Sequence, residues 1–196
     1  GPRIPDEKIR QLYEKLDALE SGDVLVLSGS IPNTLPDDMY ERIMERLAGT
    51  DVRISVDATK DLLLNVLKYH PFLIKPNNHE LGEMFGVTLE SDDEIAEYAR
   101  KLQEMGARNV LVSMAGDGAI LVTEDGSVLK QLPPAGEVVN SVGAGDSMVA
   151  GFLAGYLKTG SYEEALKLGT AAGSATAFTS WLADAGTVGE LYKKLS

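Results

Sequence analysis

The sequence predicts an α/β fold in which a mostly parallel sheet is covered by helices on both faces and ends in an antiparallel edge. Short β-branched runs alternate with helical periods through most of the chain. These runs are continuously apolar, the pattern of strands buried on both faces. Towards the end the alternation gives way to Asp125-Gly126, a hairpin signal that joins two strands directly.

Taken in order, Ile9, Leu12, Leu16 and Leu19 fall on one face of residues 6–20, an amphipathic helix. Residues 23–28 form a Val-rich run, read as a strand buried on both faces. Residues 36–48 are helical, with Tyr40, Ile43, Met44 and Leu47 on one side. A strand over 52–57, a helix over 61–68 and a strand over 72–75 follow. Ser91 and Glu94 make a capping box for a helix that carries Ile95, Tyr98, Leu102 and Met105. Residues 109–113 and 119–123 are strands on either side of a small-residue turn, and 127–132 completes the hairpin. The remainder is helical over 144–158, 162–180 and 187–195. No repeat, low-complexity tract or linker interrupts the chain, so residues 1–196 read as one domain.

Composition removes several function classes. Thirty acidic against 18 basic side chains give a net charge of −12, which argues against nucleic acid as a partner. Without cysteine there is no disulfide scaffold, thiolate nucleophile or zinc–thiolate site, and two histidines exclude a His-rich metal cluster. Apolar runs such as Val24-Leu25-Val26-Leu27 fall far short of the ~20 residues that span a bilayer. No export signal is visible at the N-terminus, so no membrane is expected as a partner and the cytoplasm is the expected location.

In sheets of this kind, ligands sit where strand C-termini meet helix N-termini, which directs attention to four loops. The first is Asn140-Ser141-Val142-Gly143-Ala144-Gly145-Asp146-Ser147, which opens a helix. Small residues there let unpaired N–H groups and the positive end of the helix approach an anion. Asp146, in the first turn, can orient an attacking hydroxyl and accept its proton; in phosphoryl transfer that positioning outweighs base strength. Equally, the glycines can simply shape a turn that Asp146 caps. Met148 stands where a dinucleotide fingerprint needs Gly or Ala, and no Gly-Lys-Ser/Thr follows a Gly-rich stretch, so neither rival motif fits.

The segment Val142-Gly143-Ala144-Gly145-Asp146-Ser147 resembles the second signature of the PfkB/ribokinase family of carbohydrate kinases. Its flanks, Val138-Val139-Asn140-Ser141 and Met148-Val149-Ala150-Gly151-Phe152, are most similar to the 1-phosphofructokinase and tagatose-6-phosphate kinase branch. The resemblance implies a three-layer α/β/α ribokinase-like fold. It also implies that Asp146 is the catalytic base and that the N–H groups of Gly143, Ala144 and Gly145 form an anion hole, with Asn140 near the nucleotide.

Lys75-Pro76-Asn77-Asn78-His79-Glu80 is the second loop. Asn77 and Glu80 lie one helical turn apart, where they can hold waters around magnesium with Lys75 nearby as a point charge for phosphate. The same pair also reads as a capping box. It matches the family's Asn-x-x-Glu element, which implies a role in magnesium and phosphate positioning. In the third loop, Ser113-Met114-Ala115-Gly116-Asp117-Gly118 is by itself a tight turn. It resembles the family's nucleotide-binding turn, which would place Ser113, Ala115, Gly116 and Gly118 at ATP, although Ala115 stands where Gly is common. Gly173 and Ser174, in a small-residue stretch over 171–177, can pack close to adenine or to another element.

The fourth loop, Ser28-Gly29-Ser30-Ile31-Pro32, resembles a Ser-Gly-Ser-x-Pro element at the edge of the sugar site, implicating Gly29 and Ser30. Lys60 reads as a surface lysine, with an alternative of facing the site. His79 faces solvent, His70 belongs to a loop, and Trp181 is expected to pack.

The resemblance is collinear from about Asp6 to the last helix but covers only the C-terminal part of the family's pattern. A Gly-rich first signature, the early strands that contact sugar and a small lid sheet have no counterpart, and Gly1-Pro2-Arg3-Ile4-Pro5 resembles the point where the chain leaves those strands. The implied activity is ATP- and magnesium-dependent phosphorylation of a ketohexose phosphate, foremost fructose 1-phosphate. A tagatose-6-phosphate kinase, a 6-phosphofructokinase and a non-catalytic nucleotide-binding fragment are the alternatives. This chain is expected to keep the nucleotide half-site, to transfer poorly to sugar, to expose a sheet edge prone to self-association and to lack a lid-mediated dimer.

Overall fold

The computed structural model describes residues 3–195. Gly1 and Pro2, part of the expected family junction, lie outside the described residues, as does the side chain of Lys60. Six strands form one sheet in the spatial order of the sequence: β1 (Val24–Ser28), β2 (Arg53–Asp57), β3 (Leu73–Ile74), β4 (Asn109–Ser113), β5 (Ala119–Val122) and β6 (Val128–Gln131). β1 to β4 are parallel, and β4–β5–β6 is an antiparallel meander.

That order decides where the helices go. When parallel strands are added one after another in a single direction, crossovers of constant hand all lie on the same face. Hence α2 (Met39–Arg46), α3 (Lys60–Val66), α4 (Asn78–Phe85) and α5 (Asp92–Glu104) share one layer, and α1 (Asp6–Asp17), which precedes β1, joins it through Leu16. Leu16, Ile43, Leu63, Leu81 and Leu102 from this layer pack on Val56, Ile74, Val110, Val112 and Ile120. Alternate strand residues, Leu73, Leu111 and Leu121, point the other way and meet Met148, Phe152 and Leu166. The latter belong to α6 (Ala144–Thr159) and α7 (Tyr162–Ala177), and α8 (Ala185–Lys194) packs on α7 through Leu191 and Ala175.

The first strand differs from expectation. Only Leu27 of β1 is buried and Val26 is 45% exposed, because β1 is the outer strand, paired with β2 alone. A run of apolar residues does not say whether a strand is central. α7 also ends at Ala177, short of the expected 180, where the Ala177 carbonyl accepts the N–H groups of Val139 and Asn140. Other helix ends shift by up to three residues, as for α2, whose expected span was 36–48. No helix among the described residues is long and apolar enough to cross a membrane.

Between β4 and β5 the expected small-residue turn is a single 3-10 turn over Ala115–Asp117. Ala115 has φ 49° and Gly118 has φ 88°, and a Cβ on Gly118 would lie 2.1 Å from the Gln131 carbonyl oxygen. Gly118→Ala should therefore destabilise the fold by about 2–4 kcal/mol. Ala115→Gly, which relieves a left-handed alanine, should stabilise it by about 0.5–1 kcal/mol. Urea unfolding of both variants measures the pair, and equal midpoints would contradict this account of the turn.

Candidate functional site

The C-terminal ends of β1, β2 and β3 converge on the N-terminus of α6. Gly143, at φ 81°, precedes the helix without any side-chain cap. The Ser147 N–H bonds the Gly143 carbonyl at 2.9 Å, and the Ala144 N–H bonds the Ser141 carbonyl at 3.2 Å. Of the three amides expected to form an anion hole, that of Ala144 is thus engaged locally. By helix geometry the N–H groups of Gly145 and Asp146 have no intrahelical acceptor.

Lys75 reaches this terminus from the end of β3. Its side chain is 9% exposed, and Nζ lies 3.4 Å from Oδ1 of Asp57. A Cβ on Gly145 would stand 3.1 Å from that Nζ, so the missing side chain is what lets the ammonium approach the helix end. Lys75 is therefore part of a buried ion pair.

Asp57 was read only as the end of a strand, yet it is central to the site. Burial pushes its carboxyl up from the usual carboxylate range; Lys75 opposes that shift, and the charges of Asp146 and Glu80 add to it. Asp57 thus feels one lysine and two further carboxylates. The available signal was an acid at the C-terminal end of a parallel strand.

Asn77 and Glu80 form the capping box at the start of α4. The Glu80 N–H donates to Asn77 Oδ1 and the Asn77 N–H donates to Glu80 Oε2, each at 2.8 Å. Asn77 also bridges Ser113 across the sheet, and the Ser113 N–H bonds the Pro76 carbonyl at 3.1 Å. One oxygen of Glu80 remains outside this box. No group of three or more His, Asp or Glu among the described residues forms a metal cage. This donor set fits magnesium, which keeps most of its waters and takes one or two carboxylates plus phosphate oxygens.

Ser28 Oγ donates to Asp146 Oδ1 at 3.0 Å, and the adjoining Gly29 and Ser30 are exposed. The nucleotide-side residues divide. Ser113 is half-buried beside Asn77, and Ala115 and Gly116 are exposed on the turn. Gly118 is committed to its contact with Gln131. Asn140 organises its own loop: Oδ1 accepts the Val142 N–H at 3.0 Å, and Nδ2 donates to the Ser180 carbonyl at 3.3 Å. Gly173 faces α6, where a Cβ would lie 3.1 Å from the Ala144 carbonyl oxygen, so it serves a helix–helix contact; Ser174 is half-buried. Thr176, unremarked in the sequence, donates to Ser147 Oγ at 2.9 Å and so ties α7 to the first turn of α6.

Trp181, expected to pack, is instead 77% exposed, beside exposed Leu182 and near the Val142 loop. Leu182 approaches Gly143, where a Cβ would meet its Cδ2 at 2.7 Å. His79 faces solvent as expected.

Comparison with known proteins gives a consistent result. The family described as pfkB family carbohydrate kinase matches residues 3–183. A 1-phosphofructokinase of Bacillus subtilis is 50% identical over 179 residues, covering 91% of this chain and 59% of that protein. A D-tagatose-1-phosphate kinase of Bacillus licheniformis is 38% identical over 185 residues, covering 94% of this chain and 60% of that protein. The crystal structure of Escherichia coli phosphofructokinase-2 in complex with fructose-6-phosphate superposes with a TM-score of 0.89 at 29% identity, over 100% of this chain and 63% of that one. The chain thus spans about three fifths of the length of these relatives.

Lys75→Met should leave Asp57 buried without its counter-charge and destabilise the fold by about 3 kcal/mol at neutral pH. Because the folded-state pKa of Asp57 is raised, its neutral form is favoured by folding. The penalty is therefore full above that value and fades as pH falls through it. Unfolding of both proteins at neutral pH and at about pH 4.5 measures the difference; a gap that widens on acidification would exclude this pairing.

Proposed function

We propose, from the premise that the chain belongs to the pfkB family of carbohydrate kinases, that it carries the phosphoryl-transfer machinery of an ATP-dependent ketohexose-phosphate kinase. Fructose 1-phosphate is the acceptor best supported, through the 50% identical 1-phosphofructokinase. The observation that carries the reading is Asp146 in the first turn of α6, beside the N–H groups of Gly145 and Asp146, hydrogen-bonded by Ser28 and next to Gly145, which Lys75 approaches.

In this reading the sugar hydroxyl attacks the γ-phosphorus. A new O–P bond forms as the bond to the β-phosphate oxygen breaks, ADP leaves and fructose 1,6-bisphosphate is the product. Asp146 takes the hydroxyl proton, and its fixed position beside the reacting oxygen supplies most of its effect. The α6 amides and Lys75 face the charge that develops on the transferring group. Magnesium, when bound, neutralises phosphate charge; Glu80 and Asp57 would hold it through water, with Asn77 holding Glu80 in place. Ser113 and the Ala115–Gly116 turn border the nucleotide, and Gly29 and Ser30 border the sugar. Use of ATP by a chain without cysteine agrees with a cytoplasmic setting.

A second acceptor, a tagatose phosphate, is supported by the 38% identical D-tagatose-1-phosphate kinase. ADP release measured with fructose 1-phosphate, fructose 6-phosphate and tagatose phosphates separates the acceptors. Asp146→Asn should lower turnover by roughly 10²–10⁴-fold while magnesium–ATP still raises the melting temperature. Undiminished turnover in that variant removes Asp146 from its role. A melting shift with ATP but no ADP release on any sugar phosphate leaves a nucleotide-binding module instead.

A further inference from the structure

Asp146 carries its carboxylate on a helix end, where rotation about its side-chain bonds would turn either oxygen toward a substrate. One oxygen is not free to do so: Oδ1 accepts the Ser28 hydroxyl at 3.0 Å. The two residues are 118 positions apart, so the contact exists only because the sheet and α6 bring them together.

Ser28 itself stands on a stiff support. It pairs in register with Asp57 at the end of β1, and the Gly29 N–H bonds the Asp57 carbonyl at 2.9 Å. From α2, the buried Tyr40 places its hydroxyl 2.9 Å from the Ser28 carbonyl oxygen and 3.2 Å from that of Gly29, donating between them. Burial, with the Asp57 charge adding to it, pushes the Tyr40 hydroxyl up from its usual range, so it remains a donor. The Ser28–Gly29 backbone is thus clamped from the strand side and the helix side.

We infer that Ser28 is a positioning residue for Asp146: its hydroxyl holds Oδ1 and leaves Oδ2 to face the attacking hydroxyl, with Tyr40 as the buttress behind it. The inference rests on the proposed role of Asp146. It differs from a sugar contact, which would act on acceptor binding, and from a purely structural bond, which would act on stability. A hydrogen bond to a carboxylate is strong enough to fix its orientation, and misorientation of a base costs rate without costing affinity.

Three variants of the full chain test it: Ser28→Ala, Ser28→Thr and Tyr40→Phe. In Ser28→Ala, side-chain scalar couplings or a crystal structure should show Asp146 in more than one rotamer, where the parent shows one. The same variant should lose roughly tenfold in kcat, with KM for both substrates within about twofold and the melting temperature little changed. Ser28→Thr, which keeps the hydroxyl, should restore both the single rotamer and kcat. Tyr40→Phe should move both readouts in the same direction by less, since the Gly29–Asp57 bond remains.

A single Asp146 rotamer in Ser28→Ala, or a rise in acceptor KM with kcat unchanged, overturns the inference. If no variant and no parent chain turns over, or Asp146→Asn is fully active, the kinase reading fails instead. The rotamer measurement then still decides whether Ser28 holds Asp146.

Discussion

The close approach of α6 and α7 sets where the N-terminus of α6 stands over the strand ends. Four glycines make it: a Cβ would lie 2.7 Å from the Leu168 carbonyl oxygen at Gly151, 2.8 Å from Ala165 Cα at Gly155, 2.9 Å from the Met148 carbonyl oxygen at Gly169 and 3.1 Å from that of Ala144 at Gly173. Side chains of any size would push the helices apart. The seam runs to the first residue of α6, and the Thr176–Ser147 hydrogen bond closes it there. The height of the α6 N-terminus above the strand ends is therefore set by packing and not by the loop that leads into it. Lys75 meets Gly145, and Ser28 meets Asp146, because of that height.

Charge then decides what such a site can bind. The chain carries a net charge of −12, and part of that excess gathers here, where the charges of Glu80 and Asp146 act on Asp57, the partner of the buried Lys75. A phosphate entering alone would meet repulsion from three carboxylates. In the proposed reading two features offset it: helix N–H groups, whose partial charge needs no counter-ion, and a divalent cation carried with the nucleotide. The Asp57–Lys75 pair belongs to the same balance. It keeps an ammonium in a buried position that it would otherwise leave, at the expense of a carboxylate that burial disfavours.

What could be read from the chain follows the range of the interactions. Both capping boxes, Asn77 with Glu80 and Ser91 with Glu94, lie within three residues, and both are formed. The Asp125-Gly126 hairpin is equally local and joins β5 to β6 as expected. The pairings of Asp57, Ser28 and Thr176 are not legible, although Ser28 and Thr176 lie in segments the sequence marks, because each acts on a partner brought near only by the fold: Lys75, Asp146 and Ser147. β1 was misjudged for a related reason, since the same Val-rich run suits a central or an outer strand and only the strand order distinguishes them. Gly173 was legible as a close-packing position, though not the partner helix it packs on, and the hydrogen bonds by which Asn140 organises its own loop were not legible.

The division of labour within the site has a consequence for substrate choice. In the proposed reading, Asp146, Lys75 and the α6 amides respond to a hydroxyl proton and to phosphate charge, and none of them senses the configuration at a sugar carbon. Relatives named for fructose 1-phosphate and for tagatose 1-phosphate chemistry both match more than 90% of this chain, as a shared transfer machinery requires. Discrimination between such epimers needs hydrogen bonds to individual hydroxyls. In that reading the groups on the acceptor side are those after β1, at Gly29 and Ser30, on an outer strand that pairs with β2 alone. The proposed transfer chemistry is thus anchored in the most tightly packed helix pair, and the proposed acceptor recognition at the margin where a strand has one neighbour.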